Sequence, residues 1–272
     1  MTPATERRHR ASRSAVLVFT GCLILLFLLF VTVPLVSLFT RVSAPDLFSA
    51  LTSRTALDAL WLSAQTAVFS TAIVILFGTP LAYVNARVNY PCKNIVDTLT
   101  DLPIVLPPTV AGLALLVAFG SNGLIGQYFS VFGVKIAFTT LAVVIAQVFV
   151  SSPFYIRQAR SAFEAVNPEY EYASRTLGAD VLTTFFKVTL PLAGSALVSG
   201  IIMTFARALG EFGATMMFAG NVAGRTQTMP LAIYTAQYSD MAVSIALAII
   251  LVIFSFAVIL TVKYISSRRS YA

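Results

Sequence analysis

The stretch EYEYASRTLGADVLTTFFKVTLP, running from Glu169 to Pro191, is a polar interruption in a chain otherwise suited to lipid. It gathers Glu169, Glu171, Arg175, Asp180 and Lys187 into a short span and carries its own helix punctuation. Asn167-Pro168-Glu169 is a helix start. Asn caps free backbone N–H groups, Pro suits the first helical position, and Glu complements the positive end of the helix dipole. Gly178 is a natural stop, because glycine takes the left-handed conformation that closes a helix. Asp180 can cap a second short helix carrying Leu182, Phe185, Phe186 and Val188, and Pro191 then opens the next apolar run. The segment reads as a rigid helix–turn–helix against a membrane, with Ala173 and Ser174 small enough for close approach. Read from the residues alone, it is either a docking element for a soluble partner or a solvated loop with ordinary caps.

The rest of the chain fixes the class. Of 272 residues, 58% are hydrophobic and only 11% charged, and the mean hydropathy is +0.86. Soluble domains carry about 25% charged residues. The apolar stretches are long and continuous rather than alternating, which points to a helical integral membrane protein. The net charge of +7 does not indicate nucleic acid, because the basic residues stand at the ends of apolar runs. Cys22 and Cys92 are far apart and predict neither a disulfide nor a metal site.

Six spans are expected. Arg7, Arg8, Arg10 and Arg13 form a basic tail, residues 1–13, ahead of an uncharged run over 14–40. That run exceeds the apolar core of a signal peptide, about 7–15 residues, and is long enough to cross about 30 Å of hydrocarbon. Further spans are read at Ala59–Val84, Leu102–Phe119, Ile136–Ile156, from Pro191 to about Met217, and at Met241–Val262. This layout leaves Arg41, Arg54, Lys135 and Arg225 on one side and Arg207 within a span. The other basic residues fall on the opposite side, which the positive-inside rule makes cytoplasmic. Both termini and the 164–191 segment are then cytoplasmic. Residues 14–272 form a single membrane domain, with no polar segment long enough to bury a separate core.

Two further stretches carry polar chemistry into the spans. The third span begins Asp101-Leu102-Pro103-Ile104-Val105-Leu106-Pro107-Pro108-Thr109. Three prolines strand helical carbonyls, and irregular backbone in lipid is tolerated only where protein or water covers it. Pro107, Pro108 and Thr109 therefore mark either a structural kink or a wall of a translocation path. In Phe205-Ala206-Arg207-Ala208-Leu209-Gly210-Glu211-Phe212-Gly213-Ala214-Thr215, Arg207 and Glu211 are one helical turn apart and can pair. Arg207 lies about 24 Å along a helix from Pro191, toward the outer side. An ionisable residue at such depth faces a bundle interior or water. It either closes a structural ion pair or lends positive potential to a passing anion, with Gly210 and Gly213 permitting close packing or a bend and Thr215 following.

The spacing of the opening stretch resembles the EAA motif of importer-type ABC permeases: Glu-Ala-Ala, three residues, Gly, nine residues, Ile, one residue, Leu-Pro. Ala173, Gly178, Val188 and Leu190-Pro191 fit it, with Ala179 to Lys187 as the nine-residue spacer. Tyr172 stands at the Glu position and Ser174 at the second Ala, with Glu171 one place out of register. The resemblance implies that Glu169, Glu171, Tyr172, Ala173, Ser174, Arg175, Gly178, Ala179 and Pro191 belong to a coupling helix seated on a cytoplasmic ATPase. LPIVLPP, FARALGEFGAT and TQTMPLAIY (Thr226–Tyr234) together resemble the molybdate/tungstate and sulfate branch of these permeases, over about residues 55–265. The resemblance implies an all-α type I ABC importer permease fold in a prokaryotic inner membrane. It also implies a homodimer, two ABC ATPase subunits that bind ATP and Mg, and an external molybdate-binding protein. The cargo would be molybdate or tungstate, or alternatively sulfate or thiosulfate. No cofactor is expected in this chain.

Other functions find less in the residues. The only histidine, His9, lies in the tail, and no span carries paired carboxylates or a serine–lysine pair, so a membrane enzyme is not expected. No Gly-rich phosphate loop is present to hydrolyse ATP. An ion-driven secondary transporter usually shows intramembrane carboxylates and repeat symmetry, and only Glu211 qualifies.

Overall fold

The computed structural model describes the backbone of residues 3–269 and the side chains of residues 16–264. All regular elements in that range are helical: α1 Pro3–Thr40, α2 Ala44–Thr52, α3 Arg54–Arg87, α4 Lys93–Val105, α5 Pro108–Phe119, α6 Gly126–Val131, α7 Thr140–Ala165, α8 Pro168–Thr176, α9 Val181–Thr184, a π-helical turn Phe185–Thr189, α10 Leu190–Leu209, α11 Gly213–Ala219, α12 Met229–Ser239 and α13 Met241–Arg269. Five segments are long and apolar enough to cross a membrane: Val16–Thr40, Arg54–Arg87, Thr140–Ala165, Val181–Leu209 and Met241–Tyr264. The pair α4 and α5, bent by 115° at its break, makes a sixth if counted as one span. The backbone of α1 runs without a break through residues 3–13. The side chains of Arg7, Arg8, Arg10 and Arg13, and those of Arg268 and Arg269, lie outside the described residues.

The bundle centres on α3 and α7, its most extensively packed helix pair, with α10 against both. Lipid is as apolar as leucine, so helices in a bilayer associate through close packing and polar contacts. Small residues do this here. Ala67, Ala82, Ala142, Ala146, Ala159 and Ala208 are fully buried. Gly78 leaves room for Tyr155 and Ile156, where a Cβ would stand 3.1 Å from each. Two polar contacts tie α3 to α7: Ser70 Oγ donates to Gln147 Oε1 at 3.1 Å, and Thr79 Oγ1 meets Tyr155 Oη at 2.7 Å. Such contacts contribute about 0.6 kcal/mol each in membrane proteins. The large exposed apolar residues of α1, such as Phe19, Leu26 and Phe30, face lipid instead.

Three expectations need correction. The third span is not a helix over Leu102–Phe119. Leu106 precedes a proline and is extended, with ψ 131°, and Pro107 has no N–H to continue the ladder. The chain therefore ends α4 at Val105 and restarts at Pro108. With 12 residues, α5 is only about 18 Å long, so Leu102–Val105 belong to an inner helix at a steep angle to it. The fourth span begins at Thr140, where Thr139 caps it by accepting from Ala142 N at 3.3 Å, and it continues to Ala165 because its charges are paired. Arg157 meets Asp101 at 2.8 Å and Arg160 meets Asp97 at 2.7 Å, both across to α4. The fifth span does not reach Met217 as one helix, since α10 stops at Leu209 and α11 starts at Gly213.

Candidate functional site

The 164–191 segment takes its punctuation from its own residues. Asn167 Oδ1 accepts from Glu169 N at 3.0 Å and Pro168 occupies the first turn of α8. Gly178 has φ +90°, the left-handed conformation that closes the helix without a Cβ penalty. Asp180 Oδ1 then accepts from Thr183 N at 3.0 Å. Hydrogen bonds from the Thr183 side chain and backbone hold the Asp180 carboxyl below the usual carboxylate value. The second arm departs from expectation. Its α-helical part is only four residues, and it runs through the π turn into α10 rather than forming a separate helix. Pro191 does not open a span; it sits just inside α10, after the turn. A proline at that place would collide with the carbonyl of a regular preceding turn, and a π turn widens it.

The face of α8 that meets solvent carries Tyr170, Tyr172, Arg175 and Thr176, followed by Leu177, with Glu169 and Ala173 also exposed. Glu171 does not belong to that face. It is buried, and its side chain turns inward to Arg87 at the end of α3, with Nη2 to Oε1 3.0 Å. Ser174 is half-buried against Thr184, hydroxyl to hydroxyl at 3.1 Å. The segment is thus a short exposed helix fastened to the bundle from below.

The second constellation is where two broken helices meet. The break before α5 and the break before α11 face each other, because α5 packs on α11. A Cβ on Gly213 would stand 2.6 Å from Pro108 Cβ, and one on Gly112 would stand 2.7 Å from both Ala214 O and Met217 Cβ. Arg207 Nη1 lies 2.5 Å from Glu211 Oε2, a charge contact rather than an aligned hydrogen bond. Glu211 Oε1 accepts from Ala214 N at 2.9 Å and so caps α11. The Arg207 side chain is 29% exposed and that of Glu211 1%. Of the expected path residues, Pro107, Pro108, Thr109 and Gly210 are exposed, and Arg207 and Gly213 partly so. Thr215 is fully buried, because that side of α11 packs on its neighbours. Arg207 and Glu211 stand beside Ala208 and Leu209, which pack on Ala67 of α3.

Against known families, residues 75–271 match the binding-protein-dependent transport system inner membrane component. The chain belongs to this family. A molybdenum transport system permease protein of Mycobacterium tuberculosis is 43% identical over 235 residues, 86% of this chain and 89% of that protein. A probable transport system permease protein of Clostridium pasteurianum is 39% identical over 85% of this chain and 81% of its own length. A sulfate transport system permease protein of Salmonella typhimurium is 38% identical over 71% of this chain and 70% of its own length. Among solved structures, a bacterial ABC transporter involved in the import of alginate aligns at TM-score 0.73 with 15% identity, covering 96% of this chain and 99% of that one. The MetNI methionine ABC transporter aligns at TM-score 0.62 with 18% identity, over 83% of this chain and 98% of that one. The fold is that of type I ABC importer permeases, and the chain is a multi-pass membrane permease subunit rather than an enzyme.

Within this family frame, sequence reasoning missed Arg87 and Thr189, which hold Glu171, and Val166, whose carbonyl accepts from Arg87. Arg87 and Glu171 are 84 positions apart, and no local period links them. The signal that could have found the pair is a carboxylate on the inward side of a capped helix, which needs a cationic partner.

Proposed function

We propose that this chain is the membrane-spanning subunit of an ABC importer that carries molybdate, or the closely similar tungstate, into the cell. The observation that carries the reading is the 43% identity over 86% of the chain with permeases named for molybdenum transport. The chain works as a homodimer with two cytoplasmic ATPase subunits and an external oxyanion-binding protein, and its termini are cytoplasmic. The solved ABC importers that share the fold support the ATPase partnership, and the distribution of Lys and Arg supports the orientation. In this reading the exposed side of α8, with Tyr172, Ala173 and Arg175, seats on the ATPase, and Gly178 and Asp180 keep the element stiff enough to pass on displacement. The paired breaks at Leu106–Pro108 and Gly210–Phe212 line the path. Arg207, half-neutralised by Glu211, offers a partly exposed guanidinium to a dianion.

Reconstituted with its ATPase and binding protein, the transporter takes up molybdate only with ATP and loaded binding protein present. Uptake driven by a proton gradient alone would end the ABC reading. The 38% identity with a sulfate permease favours sulfate as the second reading, and competition among molybdate, tungstate and sulfate decides between them. Proline at position 178 cannot adopt φ +90°, since its ring fixes φ near −65°. Gly178→Pro therefore inserts normally but no longer stimulates the ATPase, and unchanged stimulation would remove α8 from the coupling role.

A further inference from the structure

A nine-residue helix can pass on a push only through whatever holds it. The main packing of α8 is on α9 and the π turn, elements joined to it in sequence. Its connection to α3 is of another kind, a single buried cluster. Glu171 Oε1 accepts from Arg87 Nε at 3.0 Å and from Thr189 Oγ1 at 2.9 Å, with Arg87 Nη2 also 3.0 Å away. The same Nη2 donates to Val166 O at 2.8 Å. Four elements therefore meet in one cluster: the end of α3 and the π turn on the carboxylate of Glu171 in α8, and the bend after α7 on the Arg87 guanidinium. The side chains are 14% and 6% exposed.

Stability alone is a poor reason for such a pair, because a buried ion pair can often be replaced by packed apolar groups at no loss. What charged hydrogen bonds in a dry site provide is fixed direction and spacing. One turn earlier on α3, Tyr83 stacks edge-on against Phe185 of the π turn, with centroids 4.9 Å apart. From this inner end α3 runs as one helix, with Pro80 inside it, past Ala67, which touches Ala208 and Leu209 beside Arg207, and on to Ser63, whose Oγ accepts from Met229 N at 2.7 Å. Arg87 to Ala67 is about 30 Å of continuous helix.

We infer that Arg87 and Glu171 are positioning residues that pass the displacement of α8 to α3, and through α3 to the surroundings of Arg207. The motif-bearing face of α8 receives the push, and the inward carboxylate hands it on. This rests on the coupling role proposed above for α8.

The test uses the full transporter in vesicles, with molybdate as the probe. Arg87→Gln keeps the ATPase bound and hydrolysing, while molybdate moved per ATP falls on the order of tenfold, within the range a single coupling contact sets. The exchange Arg87→Glu/Glu171→Arg recovers a substantial part of that ratio. An unchanged ratio in Arg87→Gln overturns the inference. So does loss of the ATPase in Arg87→Gln alone, which makes the cluster a support for the docking surface and leaves the coupling role of α8 standing. Failure of the unaltered permease to bind any ATPase removes that role itself. Should the variants fail to insert, a distance measurement on the intact cluster decides. With Cys22 and Cys92 replaced by Ser, spin labels on Val88→Cys and Thr176→Cys keep one separation in the nucleotide-free and ATP-trapped states. A separation that changes between those states shows α8 moving without α3 and overturns the inference.

Discussion

Gly112→Ala is the sharpest test of how the two broken helices meet. The added Cβ would stand 2.7 Å from Ala214 O, 2.7 Å from Met217 Cβ and 2.8 Å from Ala214 Cα. Carbon contacts settle at about 3.5–4.0 Å, so α5 and α11 must part by about 1 Å. Overpacking of this kind costs about 1–3 kcal/mol. Two of the three neighbours are backbone atoms that cannot rotate away, which places the cost at the upper end, about 3 kcal/mol. Gly210→Ala is the internal control. Its Cβ would meet only Ala206 O, at an ordinary 3.5 Å, and its φ of −87° is open to any residue, so a change within about 0.5 kcal/mol is expected. Thermal unfolding of the purified permease, followed by the loss of its monodisperse elution peak after heating, should rank Gly112→Ala well below Gly210→Ala. Equal midpoints would refute the close approach of α5 and α11.

Three other perturbations bear on separate parts of the structure. Arg207→Gln leaves the buried Glu211 without its cation and should destabilise by about 3–5 kcal/mol, while Arg207→Gln/Glu211→Gln recovers most of that in the same unfolding assay. If the double variant is stable and still imports molybdate at the original rate, Arg207 has no part in carrying the anion. Asn167→Ala removes the cap of α8 at about 1 kcal/mol, so amide exchange over residues 168–176 should quicken about fivefold; unchanged exchange would show that the cap contributes nothing. The Asp180 carboxyl is held below its ordinary value of 3.8 by the hydrogen bonds from Thr183. Its contribution is present above that value and is lost as pH falls through the lower folded value. Amide exchange at α9 should therefore rise in acid below about pH 4, and Asp180→Asn, a cap without a titrating proton, should flatten that rise.

Much of the site was legible because its determinants are local. Asn167, Gly178 and Asp180 act on backbone groups within three positions, and Arg207 with Glu211 needs only one helical turn. The rough places of the spans followed from hydropathy, which is additive along the chain, though not their breaks or ends. What escaped depends on contacts between distant residues. The three prolines announced irregular backbone, but the 115° turn at Leu106–Pro107 is set by where α4 is anchored, through Asp97 and Asp101 to Arg160 and Arg157. The extension of α7 to Ala165 was hidden for the same reason: its arginines look like the end of a span until their partners on α4 are known. The resemblance groups Glu171 with the residues of a helix seated on an ATPase and says nothing of its direction. Its actual direction depends on Arg87, 84 positions away.

The π turn at Phe185–Thr189 has a consequence for insertions and deletions. An α-helix advances about 100° per residue, and a π turn holds one residue more than a regular turn would. Removing a single residue from 185–189 would let the segment relax to a regular turn of nearly the same rotation and rise, so what precedes it keeps its direction relative to α10. A deletion in the regular first turns of α10 would instead rotate everything before it by about 100°, and the side of α8 that faces away from the bundle would point along its edge with every side chain on it unchanged. The turn takes up one residue of length without passing on a rotation, and the tolerance of the permease to losing a single residue should be greatest there.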